Sequence, residues 1–227
     1  MKNALILHGT GGSSKENWFP WLKDELEKRQ WKVWLPDLPK AEEPNVERYN
    51  KFLLKNDYWQ FNMDSVLIGH SSGAVAIFGL LQELPDEVQV DTCYLVGAFK
   101  DDLGWESLKS LFDTPFDFAK IKTKAKNFVF LHSDNDPYCP LDHARYLTKE
   151  LDGRLMVKKG QKHFSVGTMG KSYEQFPVLL QLISSRQEKK ELEDRLSDKI
   201  SKLKSGKARK AFAYDLTLPE RYKQRDQ

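Results

Sequence analysis

Ser65-Val66-Leu67-Ile68-Gly69-His70-Ser71-Ser72-Gly73-Ala74-Val75-Ala76-Ile77 is the stretch whose reading decides the fold. Four residues of buried-strand character run into a glycine, and an apolar helical segment begins just after a second glycine. The string Gly69-His70-Ser71-Ser72-Gly73 arises easily by chance. Between a strand and a helix it acquires a mechanical meaning, because a sharp turn there lifts the central side chain above the sheet. Gly69 and Gly73 leave room for the turn and for close strand–helix packing. Ser71 is therefore the candidate nucleophile. Ser72 lies off the centre of the motif, and the competing reading is a glycine-rich turn carrying two solvated serines.

Outward from this turn, short β-rich runs alternate with helical patterns, which predicts an α/β fold around a parallel sheet. Strands are expected near 2–7, 32–35, 65–68, 91–96, 127–131 and 154–157, about six in all. Helical spacing is found through Trp18, Trp21, Leu22 and Leu26, over 46–54, 74–84 and 141–151, and again over 176–183. Pro36, Pro39 and Pro44 mark a loop, and 97–123 reads as a long irregular segment with no room for a large lid. After about Ser185 the texture changes. Leu192, Leu196, Ile200 and Leu203 recur in a charged background, predicting a helix with one narrow apolar stripe. Ser205-Gly206 should break it, and 214–227 receives no structure. The expected organisation is a domain over 1–185 followed by a basic helical extension and polar tail over 186–227.

Composition narrows the function. The 227 residues suffice for one sizeable core, and net charge is +3. Residues 186–227 carry 13 basic and 8 acidic side chains, so the basic excess belongs to the extension and the body is nearly neutral. That argues against nucleic-acid binding as the work of the domain. The cluster over 202–210 is read as a solvated helix face, and the extension is expected to pack on the domain or on another subunit. No run nears the roughly 18 apolar residues of a membrane span, and the N-terminus reads as a strand rather than a leader. Two cysteines, Cys93 and Cys139, are too few for a disulfide framework or a cysteine zinc site, and the cytoplasm is the default compartment.

A nucleophilic serine needs N–H donors for the developing oxyanion. Ser72 offers one from the start of a helix. The loop His8-Gly9-Thr10-Gly11-Gly12 after the first strand offers another, through the backbone of Thr10. A phosphate-cradling loop is the competing reading. It fails on spacing, since Ser14 stands where a third glycine would be needed and no Gly-Lys-Ser/Thr follows.

The general base is sought among five histidines. In a strand–helix scaffold of this kind the order is serine, acid, histidine. His163 follows the last expected strand, whereas His8 and His70 precede any acid, His132 ends a strand and His143 lies on a helix. Ser133-Asp134-Asn135-Asp136-Pro137 supplies two candidate acids. Asp136 is preferred because Pro137 and Pro140 stiffen the loop that aims it. Asp134 suits turn formation, and Asp101 and Asp102 are outside options. Trp18, Trp105, Phe112, Phe116 and Phe118 are candidate lining residues for an apolar part of the substrate, with core packing as their alternative role.

Taken together these segments resemble the small serine hydrolases of the retinoblastoma-binding-protein-nine and YdeN-like family. The match runs in order over about 1–185, through His8–Gly12 with Trp18, Trp21 and Leu22, Ile68–Gly73, Asp102-Leu103-Gly104, Ser133–Pro137 with Pro140, and His163-Phe164. The resemblance implies a compact α/β-hydrolase fold with helices on both faces of the sheet and a Ser71–Asp136–His163 triad. It implies no metal and no organic cofactor, and it favours Asp136 as the acid directly before the proline. The chain departs from the family at Lys162, where a glycine often precedes the histidine, and after Ser185, where no counterpart is recognised. The expected activity is hydrolysis of small carboxylic esters or amides, the partner being a small acyl substrate. The alternative is a protein-interaction module with an idle triad.

Overall fold

The computed structural model describes residues 2–55 and 59–204. Six strands form one parallel sheet: β1 (Asn3–Leu7), β2 (Lys32–Trp34), β3 (Ser65–His70), β4 (Val90–Val96), β5 (Ala125–Ser133) and β6 (Arg154–Lys158), in the order β2-β1-β3-β4-β5-β6. The helices between them are α1 (Phe19–Glu27), α2 (Val46–Leu54), α3 (Ser72–Glu83), α4 (Phe118–Thr123) and α5 (Leu141–Glu150), and the single turn α6 (Val166–Met169) follows β6. The chain moves one way from β1 to β2, then crosses back to β3 and continues in the opposite direction. With right-handed crossovers, that reversal puts α1 on one face and α2 to α5 on the other.

β1, β3 and β4 are buried along their whole length, and this is why they read as continuous apolar runs rather than alternating ones. Helix α3 is buried from Ser72 through Leu81. A core cluster packs Leu5, Leu7 and Leu67 with Val75, Phe78 and Leu81 of α3, and with Cys93, Leu95 and Phe130 of the neighbouring strands.

Register places the loops that matter at one edge. Leu7 pairs with Gly69, His70 with Val96, and Val96 with Leu131. The segments after β1, β3, β4, β5 and β6 therefore all leave from the carboxyl ends of the strands, on both sides of the switch point between β1 and β3. That crevice is where open α/β sheets hold ligands.

Several expectations are refined. β3 reaches His70 and β5 reaches Ser133, so both run up to the site segments. The segment expected to be irregular contains a 3-10 helix (Glu106–Leu111) and α4. The chain divides into two compact units, 1–176 and 177–227. The second begins with α7 (Pro177–Lys204), a single helix of 28 residues. The boundary expected at 185/186 thus falls inside a helix. Ser184-Ser185 marks a change from apolar to charged composition, with no glycine or proline to interrupt the backbone. Leu192, Leu196 and Ile200 form an exposed stripe on α7. The expected break at Ser205-Gly206, the polar tail and most of the basic cluster lie outside the described residues. No helix among those described is long and apolar enough to cross a membrane.

Candidate active site

Ser71 sits at the tip of the turn between β3 and α3 with φ 57° and ψ −125°, a strained conformation for a residue bearing a Cβ. Its N–H donates to Val96 O at 2.8 Å, and its carbonyl accepts from Ala74 N at 2.9 Å. A side chain at Gly69 would strike the backbone of Ala74, and one at Gly73 the backbone of Leu7 and His8. The two glycines are what let β1, β3 and α3 converge beneath the serine.

Ser71 opens into a cavity of about 220 Å³ together with Thr10, Gly12, Glu16, Phe19 and His163. Thr10 Oγ1 donates to Ser72 Oγ at 2.9 Å, joining the loop after β1 to the start of α3. Ser72 is the first residue of α3, where a backbone N–H has no intrahelical acceptor. The dipole at that helix end favours negative charge.

Across the cavity, His163 Nδ1 lies 2.8 Å from Asp136 Oδ2, with the two side chains 8% and 1% exposed. Asp136 Oδ1 accepts from Tyr138 N at 2.9 Å and Cys139 N at 3.0 Å. Burial alone would push the Asp136 carboxyl up. The hydrogen bond and charge of His163, with those two N–H groups, outweigh it and hold the group below the usual carboxylate range. Asp136 is therefore ionised and aimed at the imidazole. Among the described residues, Ser71 and His163 share the cavity without a hydrogen bond between them; such contacts commonly tighten only when substrate binds.

The loop carrying His163 is stitched down on two sides. Gly160 N donates to Asp134 Oδ1 (2.7 Å), Gln161 N to Ser133 Oγ (2.9 Å) and Lys162 N to Asn135 Oδ1 (2.9 Å). Ser133-Asp134-Asn135 thus fixes the His163 loop while Asp136 takes the ring itself. From the other side, His70 Nε2 meets His163 O at 2.8 Å and Trp18 Nε1 donates to Phe164 O at 3.0 Å. Val166 N donates to Asn17 Oδ1 at 2.7 Å. Lys162 has φ 44°, in the left-handed region that glycine adopts freely. Lys162 takes this left-handed backbone without being a glycine, and Asn135 holds its N–H.

The aromatic candidates separate. Trp18 is fully buried among Phe19, His70 and Phe176, and its indole donates to the loop that carries His163, so it does not line the cavity. Phe112 and Phe116 line a separate groove of about 400 Å³, with Lys100, Phe118 and Tyr146. Trp105 is 45% exposed and stands edge-on to Tyr138 at 5.9 Å, and Tyr138 stands edge-on to His163 at 5.1 Å. Sequence reading has no role for Tyr138 or Asn17, and it weighs His70 only as a base. The adjacency of Tyr138 to Asp136-Pro137, and of His70 to Ser71, was the available signal. Asp101 and Asp102 cap their own turn through Leu103 N and Gly104 N.

Asp136, Cys139 and His163 bring three metal-ligand atom types within 4.8 Å of one another. His163 Nδ1 is committed to the carboxylate, and burial pushes the Cys139 thiol well up, keeping it protonated. The donor chemistry suits an acid–imidazole pair better than a cation cage.

A parallel sheet with this switch point, a strained serine turn and an acid–histidine pair at its carboxyl edge defines the α/β-hydrolase fold. A family model described as "Serine hydrolase" matches residues 4–184, and the chain belongs to that family. It is 27% identical to YdeN of Bacillus subtilis (strain 168) over 164 residues, covering 72% of this chain and 86% of that protein. It is 26% identical to Serine hydrolase RBBP9 of Rattus norvegicus over 167 residues, 71% and 86% of the two chains. The crystal structure of the B. subtilis ydeN product superposes with a TM-score of 0.76 at 24% identity, covering 83% of this chain and all of that one. A monoacylglycerol lipase from Paleococcus ferrophilus shares the fold at a TM-score of 0.56 and 16% identity, with 81% and 94% covered.

Proposed function

We propose that this serine hydrolase cleaves small carboxylic esters, or amides, through an acyl-enzyme on Ser71, with His163 as general base and Asp136 as the orienting acid. The observation that carries the reading is the buried 2.8 Å contact between Asp136 and His163, facing the cavity into which Ser71 projects. His163 takes the Ser71 proton as Oγ attacks the acyl carbon, then gives it to the leaving alcohol or amine. Water, activated by the same imidazole, releases the acid and restores Ser71. Asp136 holds the proton of His163 on Nδ1, leaving Nε2 as the base, and stabilises the imidazolium. The N–H groups of Thr10 and Ser72 receive the oxyanion, their two loops tied by the hydroxyl pair.

The small cavity favours a short acyl group, and Trp105 with Tyr138 supplies an apolar wall beside His163. No cofactor enters these steps. Cys93 and Cys139 are buried free thiols, which suits a reducing compartment such as the cytoplasm.

Fluorophosphonate labelling of the wild type beside Ser71→Ala, followed by a panel of esters of graded acyl length, tests the reading. Labelling and turnover should both vanish in the variant. A wild type that takes no label and hydrolyses no ester would instead mark an idle triad on a binding module.

A further inference from the structure

We propose that His70 is a positioning residue, tying the backbone of the base loop to the nucleophile turn so that His163 and Ser71 keep their relative placement. The inference rests on the triad reading above.

The base loop holds an unfavourable shape. Both neighbours of His163 are left-handed, Lys162 at φ 44° and Phe164 at φ 53°. Such a residue persists only where surrounding contacts over-determine it. On the side of the loop before His163, N–H groups are held by Ser133, Asp134 and Asn135. At His163 itself the carbonyl is held by His70, and the next carbonyl by Trp18. His70 thus grips the catalytic histidine's own peptide unit.

Its other end is equally close to the chemistry. His70 is the last residue of β3, paired with Val96, and the next residue is Ser71. A single side chain therefore spans from the peptide beside the nucleophile to the peptide of the base. The ring is 4% exposed and enclosed by Trp18, Phe19 and the ring of His163, at centroid distances of 6.0, 5.9 and 4.7 Å. A carbonyl only accepts, so Nε2 carries the proton and donates it. Burial, with His163 nearby, pushes the imidazole down to about 3, so His70 stays neutral at neutral pH. With Nε2–H spent on the carbonyl, His70 does not compete as the base.

The test compares His70→Met, which keeps bulk but removes the donor, with His70→Gln, which restores an N–H of similar reach. Kinetics on a short-chain ester and the fluorophosphonate labelling rate are read beside the thermal midpoint. His70→Met should lower kcat roughly 10–100-fold with KM nearly unchanged, the scale expected when a reacting group shifts by about an ångström. Labelling should slow in proportion, and His70→Gln should recover most of both. Wild-type kcat in His70→Met overturns the proposal, as does an equal loss in both variants that follows their thermal midpoints. If His70→Met does not fold, Trp18→Phe removes the adjoining donor while keeping an aromatic ring. It should then lower kcat with KM unchanged, and an unaltered kcat there counts against the tie. Failure of the wild type to label would defeat the triad reading instead, a result separable from any of these.

Discussion

Asp136 and Asp134 stand two residues apart and serve different partners: Asp136 Oδ2 meets His163 Nδ1 at 2.8 Å, while Asp134 Oδ1 accepts from Gly160 N at 2.7 Å. One carboxylate addresses the imidazole and the other the backbone that carries it. A backbone N–H needs only an acceptor oxygen. An imidazole that becomes charged in the reaction needs an anion, and one that fixes its tautomer.

The two acids should therefore respond differently to the same substitution. Asp136→Asn should lower kcat by several orders of magnitude, about 10⁴-fold being the scale for losing the tautomer-fixing acid. Asp134→Asn keeps an acceptor oxygen and should stay within a few-fold of wild type. Steady-state hydrolysis of one ester by both variants checks this, and the reverse ranking would reassign the acid.

Gly97 gives a second, steric handle on the same pair. It follows β4 at φ +62°, and a Cβ there would lie 3.1 Å from His163 Cε1, 3.3 Å from Nδ1 and 3.7 Å from Asp136 Oδ2. Gly97→Ala should cost about 1–2 kcal/mol from the left-handed backbone alone. It should also press on the imidazole, so kcat should fall further than the loss of folded protein explains. Denaturant midpoints beside kcat measure the two effects separately. An alanine variant with wild-type kcat would mean the ring has room to move.

The positions of the strands along the chain, the serine turn and the pairing of Asp136 with His163 were legible because each depends on local chemistry, whereas the order of strands in the sheet does not. Buried parallel strands are written as apolar runs, glycines mark the places where backbone approaches backbone, and a proline-stiffened loop advertises a fixed side chain. What was not legible depends on which way a side chain faces after folding. Trp18 and Trp105 look alike in sequence, yet one is enclosed with its indole on Phe164 O and the other is half exposed beside Tyr138. His70 was set aside because it precedes the acid, a sound argument against its being the base that says nothing about holding the base in place. The division at 185/186 followed a change in composition that the backbone of α7 ignores.

Trp105 and Tyr138 offer an apolar surface next to His163, the imidazole that in the proposed mechanism hands its proton to the leaving group. Benzyl and cyclohexylmethyl acetate, each rate divided by that ester's hydroxide-catalysed rate, separate ring recognition from intrinsic reactivity. Wild type should favour the benzyl ester, and Trp105→Ala or Tyr138→Ala should bring the kcat/KM ratio towards one. Aromatic pairs are worth about 0.5–1.5 kcal/mol each beyond area burial, so the ratio should change several-fold. A ratio unmoved by either substitution would detach these rings from the substrate.

Acid should destabilise the protein in two windows that different residues set. His70 is pushed from an ordinary 6.5 down to about 3 by burial, so between those values the unfolded chain binds a proton there that the folded chain does not. Stability linked to His70 is thus fully present above 6.5 and is lost progressively as pH falls towards 3. The slope is at most about 1.4 kcal/mol per pH unit. Asp136 has the same sign, but its folded value lies below 3.8, so its contribution disappears only at lower pH. Buried His132 and half-buried His143 are also shifted downward by desolvation and add to the first window. Urea unfolding of wild type and His70→Gln at several pH values from 7.5 to 4.5 should show the variant losing stability less steeply, by up to one proton's worth of slope. Equal slopes would mean that His70 takes up a proton in the folded state. The Nε2–H tie to His163 would then have to survive on an imidazolium rather than a neutral ring.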